Sequence, residues 1–406
     1  MAVRLSYPEN ILPVRGLALA AASAGLYQKK RLDTVLISID PAGSCAAVFT
    51  RNAFCAAPVQ VAKLHMGKAS PRYCLINAGN ANAGTGERGY GDVLSVCKRL
   101  AEISKTSIEE IVPFSTGVIG EYLPVEKICN VLPDLISGLE GNKWVECATA
   151  IMTTDTVPKA VSRIVEIEGH KITITGIAKG AGMIRPDMAT MLAFLATDAA
   201  VEQSVLVGML QVAVEKTFNR ICVDGDTSTN DACVLIATGA VKMNPLSDKS
   251  HSDAVKLQDA ITDVCACLAQ AIVRDGEGAS KFVTIKITGG KTTEECLAVA
   301  YSIATSPLVK TALFASDPNW GRILAAAGRS GLDDFDISRV RIDINNVCVV
   351  EYGMRSELYT ESQGRAALDK EEILLQVELG RGAAEEVLWT CDLSFDYVKI
   401  NAEYRT

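Results

Sequence analysis

The sequence predicts an α/β fold, with strands and helices mixed and stacked in layers, and three observations point to it. Short apolar runs bounded by Gly, Pro, Asn and Asp recur along the whole chain, as buried strands do. Longer stretches with helical spacing separate many of them. No long linker, low-complexity segment or internal repeat divides the 406 residues, so the elements have to pack on one another.

Taken in order, LALAAASA (17–24) is an apolar element. It ends in small residues, as a signal-peptidase site does, but its core is short and Pro8, Glu9 and Pro13 precede it, so it reads as part of the core. TVLISID (34–40) and CAAVFT (45–50) read as two strands of a hairpin closed by Pro41-Ala42-Gly43-Ser44. YCLINAGNANAGTG (73–86) is a buried strand entering a loop rich in Gly and Asn, with a helix through Val93–Ile103 behind it. IVPFSTGVIG (111–120) is a second apolar approach to a polar turn, and residues 124–138 and 143–151 read as helices.

RIVEIE (163–168) and KITITGI (171–177) alternate with period two around Gly169-His170, a hairpin whose second strand leads into Lys179. Residues 200–220 predict an amphipathic helix capped by Asp198. VDGDTSTNDACVLIA (223–237) reads as a solvated acidic loop feeding a strand; the spacing is wrong for a calcium loop. A helix over 253–273 and a strand at FVTIKITGG (282–290) follow. The tail reads mostly as strand: RVRIDIN and VCVVEYG paired around Asn345-Asn346, then LLQVELG, EVLWTCDLS and DYVKINAEY.

Composition excludes several function classes. The chain is 49% hydrophobic but only 5% aromatic, so aliphatic side chains must fill the core. A net charge of −8 with no basic run argues against a nucleic-acid or anionic-membrane partner, and no run approaches the ~18 apolar residues of a membrane span. The 13 cysteines are scattered, odd in number and without CxxC or metal-ligand spacing. They predict reduced thiols in a cytoplasmic protein, with neither a disulfide framework nor a metal site. His65, His170 and His251 all read as exposed, which leaves a Ser–His–Asp or Cys–His triad without a base.

A self-activating nucleophile avoids that shortage, and KGAGMIRPDMATML (179–192) has the features of one. A Gly/Pro loop meets an apolar strand at Ala189-Thr190. There the threonine hydroxyl could attack the Ala189 carbonyl, pass through an ester and be freed as a new N-terminus. Its α-amine would titrate near ~8, against ~10.4 for lysine, and could serve as the missing base. The bland alternative is an ordinary loop entering a core strand. A competing motif, Gly289-Gly290-Lys291-Thr292, imitates the end of a phosphate loop, but Ile285 stands where the first glycine is needed. Nucleotide binding there is the alternative from another function class.

The stretch KGAGMIRPDMATML resembles the processing site of the ornithine acetyltransferases, the bifunctional glutamate N-acetyltransferases of arginine biosynthesis. FTRNAFCAAPV (49–59), NAGNANAGTG (77–86), PFSTGVIG (113–120), MTTDTVPK (152–159), DGEGASKF (275–282), SPLVKTA (306–312), DPNWGRI (317–323) and DYVKINAEYRT (396–406) also resemble signatures of that family, in order. The resemblance implies a layered αββα sandwich of the N-terminal-nucleophile kind. It implies cleavage at Ala189-Thr190 into an α chain, 1–189, and a β chain, 190–406, assembled as two of each. Thr190 is then the nucleophile, Thr116 and Gly117 the oxyanion hole, and Thr153, Lys179, Thr190, Glu277, Asn401 and Thr406 bind substrate.

The implied reaction moves acetyl from N2-acetylornithine to L-glutamate by a ping-pong route, with no cofactor. Acetyl-CoA is a second donor in some members. The absence of a phosphate loop, and of a basic cluster beyond Lys179 and Arg185, favours acetylornithine here. The alternative enzyme is an amidohydrolase or aminopeptidase using the same threonine with water as acceptor.

Overall fold

The computed structural model of the chain describes residues 2–185 and 191–403. It opens with β1 (Leu17–Ala22), β2 (Thr34–Ile39), β3 (Ser44–Phe49), α1 (Ala57–Met66), β4 (Tyr73–Asn80), α2 (Gly86–Ser104) and β5 (Ile111–Val118). Next come α3 (Val125–Ser137), α4 (Trp144–Ala150), β6 (Lys159–Ile167) and β7 (His170–Lys179). Beyond residue 190 lie β8 (Leu192–Thr197), α5 (Gln203–Lys216), β9 (Ile221–Cys222), β10 (Ala232–Ala237), α6 (Ser252–Arg274) and β11 (Phe282–Gly290). The remainder is α7 (Thr293–Ala304), α8 (Pro307–Phe314), α9 (Trp320–Gly328), β12 (Arg341–Ile344), β13 (Val347–Glu351), β14 (Met354–Arg355), α10 (Glu361–Leu368), β15 (Glu372–Glu378), β16 (Ala384–Cys391) and α11 (Phe395–Ala402).

Strands that are apolar at every position need cover on both faces, and stacking provides it. The first sheet has the order β1-β2-β4-β5 and the second β3-β10-β8-β7-β6. Val35, Ile37, Ile76 and Phe114 from the first meet Leu192, Phe194, Val234 and Ile236 from the second in one buried cluster. From the same strands Leu36, Leu75 and Ile111 point the other way, onto α2 and α3. Ala193, Leu195, Cys233 and Leu235 likewise turn outward onto α5 and α6. The layers therefore run helix, sheet, sheet, helix, as the family resemblance implies. Phe114 seals the seam, with Phe194 edge-on at 5.0 Å and Phe49 stacked at 6.5 Å.

A third sheet, β14-β13-β12-β15-β11-β16-β9, carries the C-terminal part, with its own core under α7, α9 and α10. Its β9 edge precedes the loop that leads into β10 of the second sheet. Among the described residues, no single helix is long and apolar enough to cross a membrane.

Four local expectations are corrected. β2 and β3 do not form a hairpin: β2 lies between β1 and β4, whereas β3 pairs with β10 in the other sheet. A tight Pro/Gly turn reports a reversal, not whether the next strand pairs or crosses to the facing layer. Asp198 does not cap α5, whose N-cap is Glu202; its buried side chain accepts from Thr173 N at 2.8 Å instead. The segment DYVKINAEY contributes the helix α11 rather than a strand. Its β-branched and aromatic residues favour extended backbone, but the helix brings Asn401 onto Glu277 at 2.7 Å, a tertiary contact that overrides propensity. Finally, His65 is buried in α1, where Nδ1 donates to Ile111 O at 2.7 Å.

Candidate active site

β4 and β5 run parallel and end together, with Ala78 opposite Thr116 and Gly79 opposite Gly117. At the Gly79–Gly117 pair the two backbones leave no room for a side chain between them. Gly117 has φ +133°, and a Cβ there would lie 2.3 Å from the Gly79 carbonyl carbon. Glycine is required at that position on both counts. Side chains then wire the turn in place: Ser115 Oγ donates to Asn77 Oδ1 at 2.6 Å, and Asn77 Nδ2 donates to Asn80 O at 2.8 Å. Asn230 Nδ2 reaches across from the loop before β10 to both Ala81 O, at 2.6 Å, and Ser115 O, at 2.9 Å.

This turn forms one wall of a cavity of about 270 Å³, the size of a small metabolite. Thr116, Gly117, Thr153, Lys179, Glu277 and Asn401 all line it. Six of the site residues expected from the sequence thus converge from five separate segments. Ala189, Thr190 and Thr406 lie outside the described residues. Met191, which follows Thr190 in the chain, is buried, and its carbonyl accepts from Ala232 N at 3.0 Å.

Lys179 ends β7 and donates from Nζ to Thr116 Oγ1 at 3.0 Å. Burial lowers its pKa; the nearby carboxylates of Asp155 and Asp231 oppose this without cancelling it. Glu277 is buried, accepts from Asn401 Nδ2 at 2.7 Å, and donates from its backbone N to Ala181 O at 2.9 Å. Read without the family, Lys179 and Glu277 are ordinary surface charges. In the structure both line the same cavity, Glu277 buried and Lys179 half-buried.

The loop read from sequence as solvated is buried in its second half and supplies Ser228, Thr229 and Asn230 to the cavity. Its polarity suggested solvent because hydroxyl, amide and carboxylate groups look alike in sequence whether they face water or one another. Asp231, next to it, is buried and burial drives its carboxyl pKa well up; Oδ2 has no partner among the described residues. None of the three histidines lines the cavity: His170 opens β7 and His251 caps α6, both exposed. The GGKT motif forms a structural corner, in which Thr292 Oγ1 caps α7 and Lys291 N donates to Glu295 Oε2 at 2.9 Å.

Residues 18–406 match the ArgJ family. The chain belongs to that family. The arginine biosynthesis bifunctional protein ArgJ of Pseudomonas fluorescens is 52% identical over 406 residues, with both chains fully covered. That of Methylococcus capsulatus is 51% identical over 397 residues, 98% of this chain and 97% of the other. A crystal structure of the arginine biosynthesis bifunctional protein ArgJ from Bacillus halodurans has 38% identity and a TM-score of 0.50, covering 52% of this chain and 98% of that one. As an ArgJ-family member the chain is an acetyltransferase of arginine biosynthesis, and it has the layered α/β architecture of the family.

Proposed function

We propose that the enzyme cuts itself before Thr190 and then carries acetyl on that threonine, from N2-acetylornithine to L-glutamate. The α-amine of Thr190 takes the proton of its own Oγ as that oxygen attacks the acetyl carbonyl carbon. The C–N bond of the donor breaks, and ornithine leaves with the proton on its 2-amine. Glutamate's amine then attacks the ester, Oγ recovers a proton, and N-acetylglutamate departs. The route requires no resident cofactor.

The observation that carries this reading is the convergence of Thr116, Gly117, Thr153, Lys179, Glu277 and Asn401 on one small cavity. In both half-reactions a carbonyl oxygen becomes an alkoxide, and the Thr116 hydroxyl with the Gly117 N–H is suited to receive it. Glu277, held by Asn401, supplies the negative end needed by a substrate ammonium, and Lys179 supplies a cationic donor for a carboxylate. The length of the Bacillus halodurans chain supports the division into 1–189 and 190–406. About half of this chain covers 98% of it, the relation expected of one product from a chain cut near its middle. We assign the enzyme to the cytoplasm, since its 13 cysteines are all free, and to an assembly of two α and two β chains. The favoured donor is acetylornithine rather than acetyl-CoA.

Intact mass and transfer of labelled acetyl test the proposal together. Cleavage leaves 189 residues and the other 217 of the 406, roughly 20 and 23 kDa in proportion to length. The larger fragment should begin Thr-Met-Leu-Ala, and label from acetylornithine should appear on glutamate. A fully active single chain would overturn the mechanism, and label released as acetate would make the enzyme a hydrolase.

A further inference from the structure

We infer that Lys159 is a positioning residue for this reaction, binding three loops of the site to one buried charge cluster. Its Nζ uses all three of its protons: on Asp155 Oδ1 at 2.6 Å, on Asp275 Oδ2 at 2.7 Å and on Val157 O at 3.2 Å. The side chains of Lys159 and Asp155 have no exposed surface, and that of Asp275 is 1% exposed. Lys159 does not line the cavity, so it acts only through what it holds.

Each carboxylate passes the constraint on to the site. Asp155 accepts from Thr153 N at 3.0 Å and from Gly180 N at 2.7 Å, fixing one residue that lines the cavity and the neighbour of another, Lys179. Asp275 accepts from Thr156 N at 2.9 Å, from Val157 N at 3.3 Å and from Thr156 Oγ1, and stands two residues before Glu277. The ends of the cavity expected to meet the substrate's charges are therefore set by one ammonium. Under the proposed cleavage Asp275 falls on the other product from Lys159, and this bond joins the two chains within the site.

The charges explain why a lysine is needed. Two buried carboxylates against one ammonium leave a net negative charge, and Lys179, close enough to Asp155 to interact with it, balances that. Without Lys159 the carboxylates would repel each other until one took up a proton. The loss would therefore depend on pH in a way that a simple packing defect does not.

The role in catalysis rests on the function proposed above; the coupling of the loops does not. Lys159→Met, Lys159→Arg and Asp275→Asn are compared with wild type by amide hydrogen exchange and by kinetics with acetylornithine and glutamate. In Lys159→Met the Thr153, Thr156 and Gly180 amides should lose protection. kcat/KM should fall roughly 10- to 100-fold, mostly through KM, and recover partly toward acidic pH as a shared proton replaces the ammonium. Lys159→Arg, which keeps the charge, should restore part of the loss. If Lys159→Met fails to fold, Asp275→Asn carries the test: it keeps the bond to Asp155 and should raise KM several-fold. Unchanged protection, or an unchanged KM and pH profile, overturns the inference. Protection that depends on Lys159 in a wild type with no transferase activity would sustain the coupling and remove the proposed function instead.

Discussion

Lys179 Nζ donates to Thr116 Oγ1 across 3.0 Å, so a cation from the end of β7 occupies a lone pair of the proposed oxyanion donor. No bond among the described residues uses the Thr116 hydroxyl proton, which is left for an alkoxide in the cavity. The neighbouring ammonium polarises that hydroxyl and adds its own field. Thr116→Ala should slow the chemical step by on the order of 10²-fold, with a smaller change in KM. Single-turnover rates of acetyl transfer to Thr190 test this; an effect confined to KM would make Thr116 a binding contact. Thr116→Ser keeps the hydroxyl and should recover much of the rate.

The two proposed products share one sheet. β3, β6 and β7 precede residue 189, β8 and β10 follow it, and the order β3-β10-β8-β7-β6 interleaves them. Separation would break the β7–β8 ladder from Ile174–Thr197 to Lys179–Leu192 as well as the β3–β10 ladder. The site is divided too, with Thr116 and Lys179 on one product and Glu277 and Asn401 on the other. The fragments should therefore elute together from size exclusion in native buffer and part only in denaturant, and neither should be active alone. Elution as two separate species in native buffer would contradict this pairing.

The sequence showed the layers because strands buried on both faces are apolar nearly throughout, as β10 is at every position and β8 at all but its last. It did not show which layer each strand joined. The turn after β2 looks the same whether β3 pairs beside it or crosses to the facing sheet, and that choice depends on β10, far along the chain. The cavity was legible mainly through motifs: composition gives no reason for Lys179 to be enclosed or for Glu277 to meet Asn401. Polar groups that satisfy one another were the least visible. Asp155 and Lys159 are four residues apart, an ordinary spacing, and Asp275 completes their cluster from more than a hundred residues away. His65 was misread for a related reason, since its partner is a backbone carbonyl, Ile111 O, which has no sequence signature.

Asp231 should make stability depend on pH. Burial raises its carboxyl pKa well above the usual range, with a Ser228 bond and the Lys179 charge only partly opposing. The folded chain then keeps a proton that the unfolded chain releases near ~3.9. Between that value and the raised one the folded state binds more protons, so this contribution is lost as pH rises through the window. Asp231→Asn is neutral throughout and escapes the loss. Its stability relative to the parent should climb as pH rises above ~4 and level off at the raised value, by at most ~1.4 kcal/mol per pH unit. Urea midpoints of both proteins in a Thr190→Ala background, where the chain should stay single, test the slope. A difference that does not change with pH would show that the carboxyl is not held protonated.

Gly182 sits against Glu277 so closely that an added Cβ would come within 2.5 Å of the carboxylate carbon and both its oxygens. The backbone of Gly182 is not in the left-handed region, so alanine fits the chain conformation and the collision is with the side chain alone. Glu277 cannot swing aside freely, because Asn401 Nδ2 holds Oε2 at 2.7 Å and Ala181 O anchors its backbone N at 2.9 Å. Gly182→Ala should therefore displace the carboxylate proposed to meet the substrate ammonium. KM for acetylornithine should rise about 10-fold or more, and stability should fall by about 1–3 kcal/mol as the collision strains the Asn401 bond. Gly208→Ala, inside α5 where a Cβ meets nothing within 4 Å, is the control: it should leave KM unchanged and stabilise the fold by about 0.5–1 kcal/mol. Steady-state kinetics and thermal melts of the two variants decide the matter. Gly182→Ala with wild-type KM would mean that Glu277 does not contact the donor, and the ammonium would have to be held elsewhere in the cavity.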